Sequence, residues 1–276
     1  MTVYGKYSLG TGVFLDNPDH VYQDLDSFSV IEGYQKSMKL DLQKAGISLE
    51  SLHHSHVMDV GTGRQALVFE KLGARNVNHY DFSPQNVENL SRYIETHSLS
   101  KRIQTQYSDL VEDVLPEEKF ELIYLQGIVQ HFSHTGIGLK NCIQALKKKG
   151  HLWLYFYRSG TWPMFLKFMM RDVLEGQSNM DEYYLHSVLN HSDDALPNFR
   201  VSSNMDNFFA SHMHLYEANT YVDFIQQCGL ELQSSSRLDP YGKAVDHEHA
   251  YQAAVITCRK VNSVDLHHIS VDSLSP

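Results

Sequence analysis

The chain has 276 residues, 42% of them hydrophobic, enough to bury a substantial core and incompatible with wholesale disorder. Its 33 acidic and 23 basic residues leave a net charge of -10, the opposite of the basic footprint that a nucleic-acid backbone requires, so nucleic acid is excluded as the expected partner. The longest apolar runs, such as LWLYFY and WPMFL, fall far short of the roughly 20 residues of a membrane span, and no basic-apolar signal pattern opens the chain; a soluble, cytoplasmic protein is expected.

The first fifty-odd residues carry turn signals (YSLGTG, DNPDH) and then a helical pattern from Ser27 to Ala45, stopped near Gly46, which reads as an N-terminal cap over residues 1–52. From His56 the pattern changes. HVMDV is a short apolar run, Gly63 to Leu72 is helical, NVNHYDF is a second run, Pro84 to His97 a second helix, and IQTQYSD and FELIYLQG are further strand-like runs. A helix around Leu139 to Lys148 and the run HLWLYFY follow. Strands alternating with helices of this length predict right-handed βαβ units, a parallel sheet and helices on both faces.

Residues 161–217 break the rhythm, with TWPMFLKFMMRDVL as a helix and a polar stretch after it, and are expected to form a lid insertion. A helix from Ala218 to Cys228, stopped by Gly229, then leads to LELQSSSRL and AYQAAVITCRK, two runs joined without a helix across DPYGKAVDHEH. They predict an antiparallel hairpin at one edge of the sheet. Residues 261–276 are polar and are expected to fray. Cys142, Cys228 and Cys258 form no CxxC pair and are expected to be buried free thiols. Histidines cluster at 53–56, 212–214 and 246–249, but no spacing completes a recognised metal site, so no metal is expected.

The chemistry concentrates at DVGTGRQA. Gly61 and Gly63 permit a tight turn after the first strand and a close backbone approach to a ligand at the N-terminus of the next helix. The spacing also fits GxGxxA, with Asp81 placed 20 residues after Gly61 to hold ribose hydroxyls, so a nicotinamide dinucleotide remains an alternative. Asp59 argues otherwise: a carboxylate at that strand end favours a cationic ligand group and repels a pyrophosphate. Asp109 ends the third run, placed to accept from an adenine amino group, with Leu110 beside the ring. The fourth strand leads into a loop carrying Gln126 and His131.

With these motifs on view, residues 50–160 resemble the class I S-adenosylmethionine-dependent methyltransferases of small-molecule type. VMDVGTG resembles their first motif, HYDFSP their ribose-binding strand end, YSDLVEDVLPEEKFELIYLQGIVQHF their adenine and fourth motifs, and QALKKKGHLWLYFY the approach to their fifth strand. Two departures stand out. Arg64 and Gln65 occupy the region of the family's third glycine, and Lys149 and Gly150 replace its usual proline-glycine pair. The resemblance implies an α/β, Rossmann-like fold with a mostly parallel seven-stranded sheet, a C-terminal antiparallel hairpin, helices on both faces, and the cap and insertion as lid. The methyltransferase domain would span residues 53–260.

It also implies S-adenosylmethionine as cofactor and S-adenosylhomocysteine as product. Gly61 and Gly63 would lie under the cofactor's amino-acid end, Asp59 would face its ammonium, and Asp81 would bind both ribose hydroxyls. Phe82 and Leu110 would sandwich adenine, Asp109 would take its amino nitrogen, and Gln126 would complete the cofactor site. His131 is the candidate general base for a protonated acceptor. Tyr157, Arg158, Asp206, His214 and Tyr216 are candidates for the acceptor site, with Arg158 suited to an acceptor carboxylate or phosphate. The acceptor is expected to be a small molecule over the carboxyl ends of the strands. A nucleotide-binding partner protein without catalysis is the remaining alternative.

Overall fold

The computed structural model describes residues 28–61, 63–97, 99, 102–159, 213–238 and 253–275. Helix α1 (Phe28–Lys44) ends ahead of Gly46, whose φ of 72° lets the chain turn, and α2 (Leu49–Leu52), capped by Ser48, leads to the first strand. The alternating units follow: β1 (His56–Val60), α3 (Arg64–Lys71), β2 (Asn76–Asp81), α4 (Pro84–Thr96), β3 (Ile103–Tyr107), β4 (Phe120–Gln126), α5 (Thr135–Ala145) and β5 (Leu146–Tyr157). Helix α6 (Ala218–Gln227) and strands β6 (Leu230–Leu238) and β7 (Ala253–Lys260) complete the sheet.

The seven strands run in the order β3-β2-β1-β4-β5-β7-β6. β1 to β5 pair in parallel, whereas β7 pairs antiparallel with both β5 and β6, which is the expected edge hairpin. Because both faces are covered, each central strand divides its apolar residues between two cores. Met58, Ile123, Leu125, Leu152 and Leu154 pack with Leu139 and Ile143 of α5 and Phe224 and Ile225 of α6. Val57, Leu122, Tyr124 and Trp153 pack on the other side with Leu42, Phe69 and Leu90 of α1, α3 and α4. The Tyr124 and Trp153 rings stack across β4 and β5 with centroids 4.0 Å apart, tying the middle of the sheet together. All three cysteines are buried and free.

Two expectations are corrected. The helix placed at Leu139 to Lys148 runs from Thr135 to Ala145, because His134 caps it earlier: its Nδ1 accepts from the Ile137 amide. The lysine run that reads as a helix end belongs to β5, where the register with β4 jumps between Phe120 and Leu122. That bulge puts Lys149 at φ 68° and seats Lys147 against Glu121 in a close ion pair. Lys260 then closes the C-terminus of α5, its Nζ donating to the carbonyls of Ile143 (3.1 Å) and Leu146 (2.6 Å).

The segment after β7 is docked instead of frayed. It forms two short 3-10 turns, Leu266–His268 and Asp272–Leu274. Leu274 is fully buried in the α5/α6 core, and Val271 packs where a side chain at Gly136 would otherwise stand, 2.8 Å from that position. The remainder of the expected lid, the start of the N-terminal cap and the turn joining β6 to β7 lie outside the described residues.

If the tail is part of the core, Leu274→Ala lowers the unfolding free energy by about 3 kcal/mol. Urea denaturation measures this, and an unchanged midpoint would mean that the tail contributes nothing to the core.

Candidate functional site

At the carboxyl end of β1 the chain spends two polar features on one turn. Gly61 (φ 123°) and Gly63 (φ 83°) adopt left-handed conformations that side chains resist, and a Cβ on Gly63 would stand 2.5 Å from Leu90 Cδ2. Gly63 is the N-cap of α3 and has no side chain with which to cap it. Asp59 supplies the cap from the strand: its Oδ2 accepts from the Ala66 amide at 2.9 Å. Its other oxygen, Oδ1, is buried without a hydrogen-bond partner among the described residues. Burial pushes the Asp59 carboxyl up to about 7, against the opposing pull of the Ala66 and Val60 amides and with a further push from Asp81.

Asp81 closes β2 beside it. Its Oδ1 accepts from the Ser83 amide at 2.7 Å and its Oδ2 from Asn86 Nδ2 at 3.0 Å, so the carboxylate plane is held by the first turn of α4. Burial raises this carboxyl to about 7 as well, although the Ser83 and Asn86 bonds oppose it. Each oxygen retains acceptor capacity for a ligand hydroxyl. Asn86 escaped the sequence reading; its position in the first turn after an N-capping Ser83 was the available signal.

The next strand end carries the Ser108–Asp109–Leu110 turn. The Ser108 amide donates to the Asp81 carbonyl at 2.9 Å, Asp109 Oδ1 accepts from the Val111 amide at 2.9 Å, and Asp113 Oδ2 accepts from the Asp109 amide at 2.9 Å. Leu110 lies in the core, while Phe82 is 40% exposed, so the two side chains expected to flank adenine differ sharply in freedom. Gln126 ends β4 and is tied to the glycine helix: its Oε1 accepts from Gln65 Nε2 (3.1 Å) and Tyr124 Oη (3.2 Å). Gln65 thus uses the departure from the family's third glycine to bridge two strand ends. The neighbouring departure, Arg64, is buried and donates to Tyr34 Oη at 2.9 Å, joining α1 to the same turn.

On the acceptor side, His131 is half-buried in the 3-10 turn Val129–His131 that follows β4. Within that turn Gln130 is fully buried, its Nε2 donating to the Gly127 carbonyl at 2.7 Å. The Gln130 carbonyl accepts from the His214 amide at 2.8 Å, which brings His214 against the loop of His131. Arg158 and Tyr216 form a single parallel bridge beyond β5. Arg158 is buried; its Nε donates to the Ser159 carbonyl at 3.1 Å, and its Nη1 lies 3.9 Å from Glu217 Oε2. Tyr216 donates its hydroxyl to the Ser275 carbonyl at 2.9 Å. Tyr157 is half-buried, edge-on to Tyr155 with centroids 5.6 Å apart. The loop of His131, His214, Arg158 and Tyr216 therefore share the carboxyl ends of β4 and β5; Asp206 lies outside the described residues.

Residues 58–154, from β1 through most of β5, match the family model of a methyltransferase domain. No curated protein matches the chain. Among solved structures, the chain is similar to a Galdieria sulphuraria protein provisionally named a sarcosine dimethylglycine methyltransferase, at 12% identity and TM-score 0.52, covering 84% of this chain and 86% of that one. It is also similar to an S-adenosylmethionine-dependent methyltransferase of Mesorhizobium loti, at 14% identity and TM-score 0.51 over 80% and 97% of the two chains. A structure concerned with the conversion of a disulfide bond into a thioacetal group during echinomycin biosynthesis matches at 16% identity and TM-score 0.52, over 83% of each chain. At such identities the likeness is one of fold.

The chain carries a class I S-adenosylmethionine-dependent methyltransferase domain. Its cofactor is S-adenosylmethionine and its product S-adenosylhomocysteine. The donor set fits that ligand: a bare buried carboxylate oxygen suits an ammonium, and a pyrophosphate would be repelled by it. Among the described residues no helix is long and apolar enough to cross a membrane.

The raised Asp59 carboxyl has a consequence for stability. Its folded value, about 7, exceeds the ordinary 3.8, so its contribution to stability is complete below about pH 4 and is lost as the pH rises through 7. Asp59→Asn escapes that loss. The variant, without ligand, is expected to outlast the parent at pH 8 by up to about 4 kcal/mol and to lose its advantage towards pH 4.5. Thermal melts across that range check it; a pH-independent difference would contradict the assignment.

Proposed function

We propose that the protein transfers the methyl group of S-adenosylmethionine to a small-molecule acceptor held over the carboxyl ends of the strands, by in-line displacement. The observation that carries this reading is the pair of buried carboxylates at adjacent strand ends, Asp59 with a bare oxygen beside a left-handed glycine turn and Asp81 fixed edge-on by α4.

Bound S-adenosylmethionine supplies an already activated methyl group on a sulfonium. Asp59 attracts the ammonium, Gly61 and Gly63 admit the amino-acid end close to the backbone, and Asp81 accepts from the ribose hydroxyls. Asp109 receives the adenine amino group between Leu110 and Phe82, and Gln126 borders the amino-acid end. With the donor activated, the protein's share of the rate is alignment of the two reactants and exclusion of water. His131 accepts the proton of an acceptor that arrives protonated, and His214 and Tyr216 line its wall beside that loop, with Tyr157 adding a polar contact. Arg158 stands close to Glu217, so an anionic acceptor group must draw it away from that carboxylate. The net charge of -10 supports a small acceptor over a nucleic acid.

Calorimetric titration tests the cofactor site directly. S-adenosylmethionine and S-adenosylhomocysteine are expected to bind and NAD not; Asp81→Ala is expected to weaken both by about a hundredfold or more, since two hydrogen bonds to a charged group are lost. NAD binding alone would overturn the reading. His131→Ala is expected to lower turnover at least tenfold with little change in cofactor affinity, given the usual range of acid-base contributions. Once an acceptor is in hand, a variant that turns over as fast as its parent would return His131 to a structural role.

A further inference from the structure

His79 lies on β2, between β1 and the edge strand β3, fully buried, and both ring nitrogens are engaged. Nε2 makes a close hydrogen bond to the carbonyl oxygen of Gly61, and Nδ1 lies 2.7 Å from Thr105 Oγ1 on β3. A carbonyl only accepts, so Nε2 carries the proton; Nδ1 is then the acceptor, and the Thr105 hydroxyl donates to it. Burial keeps the ring neutral, so a single tautomer serves both contacts. The amide of the same glycine donates to the Tyr80 carbonyl at 3.2 Å. Both polar groups of Gly61 are thus committed to β2, at φ 123°, a conformation open to glycine but one among many that it visits freely.

We infer that His79 is a positioning residue for the glycine turn: the Thr105–His79–Gly61 chain turns the Gly61 carbonyl into the sheet and away from the ligand, setting the floor under the cofactor's amino-acid end. Without that bond, the carbonyl is released to face a carboxylate-bearing ligand, which repels it. The chain also couples the two ends of the cofactor site, because His79 is two residues from Asp81 on the same strand. This role rests on the cofactor reading of the glycine turn given above.

The test compares S-adenosylhomocysteine with 5′-methylthioadenosine, which shares the nucleoside and lacks the amino-acid end. Thr105→Val keeps the strand and removes the donor to Nδ1, so the ring loses one of the two contacts that hold its plane and its bond to the Gly61 carbonyl is weakened. The variant is expected to bind S-adenosylhomocysteine about tenfold more weakly, the scale of one lost hydrogen bond, and methylthioadenosine as the parent does. Thr105→Ser, which retains the hydroxyl, is expected to restore parental binding of both. Nitrogen-15 NMR of the parent's His79 ring is expected to show the Nε2-protonated tautomer in the ligand-free protein, a readout independent of turnover. Equal losses for the two ligands, no loss for either, or the Nδ1-protonated tautomer in the parent would each overturn the role of His79. A parent that binds neither ligand would overturn the cofactor reading itself, and this role with it.

Discussion

The uncompensated carboxylate of Asp59 is the constraint around which the carboxyl end of the sheet is arranged. One oxygen caps a helix whose own N-cap is a glycine, and the other has no hydrogen-bond partner among the described residues. A buried ionised group in that condition is costly, which is why its carboxyl is held near neutrality instead of the ordinary 3.8. In the proposed function a ligand ammonium is the partner of that oxygen. Ligand binding and folding are linked through this one residue, since a cation that binds only the folded chain offsets a cost already built into it.

The same economy explains the glycines. A bulky side chain at either position would stand against Leu90 or Ile128, and the left-handed backbone would be strained besides. The turn is therefore held from outside: by Asp59 across to α3, by His79 and the Tyr80 carbonyl from β2, and by Gln65 reaching Gln126 on β4. Three neighbouring strands thus contribute to one turn. Where the resemblance would place a third glycine, Gln65 makes a side-chain bridge to Gln126, and Arg64 next to it connects the turn to α1 through Tyr34.

The alternation of strands and helices, the parallel sheet covered on both faces and the edge hairpin were legible because apolar runs and helical periods record burial directly. The strand-end acids were legible for a related reason: a carboxylate at the end of an apolar run is conspicuous. What escaped were residues whose role depends on a neighbour distant in sequence. His79 reads as one more residue of a strand, and only the pairing of β2 with β3 and the fold of the glycine turn give it Thr105 on one side and Gly61 on the other. The lysine run at 147–149 misled because its charge resembles a helix end, while the bulge that holds it in β5 depends on Glu121 of β4. The tail read as polar because His, Asp and Ser separate its apolar residues, yet Leu266, Ile269, Val271 and Leu274 recur every two to three residues and pack against one core.

That tail bears on the acceptor side. Tyr216 gives its hydroxyl to the Ser275 carbonyl, Ser275 Oγ lies 3.4 Å from His134 Nε2, and His134 caps α5, whose first turn follows the loop of His131. The side chain proposed to line the acceptor wall and the loop carrying the proposed base are consequently fixed to the same short segment of chain. The proposed cofactor contacts, by contrast, come from β1 to β4 and their following turns, which the tail does not touch in any of these bonds. In the proposed site the nucleoside side is held by strand-end acids within the matched region, whereas the acceptor side joins the loop of His131, also within it, to elements that follow it in sequence. A change of acceptor can be accommodated in the second set without disturbing the first, which is how a single sheet supports different methyl acceptors.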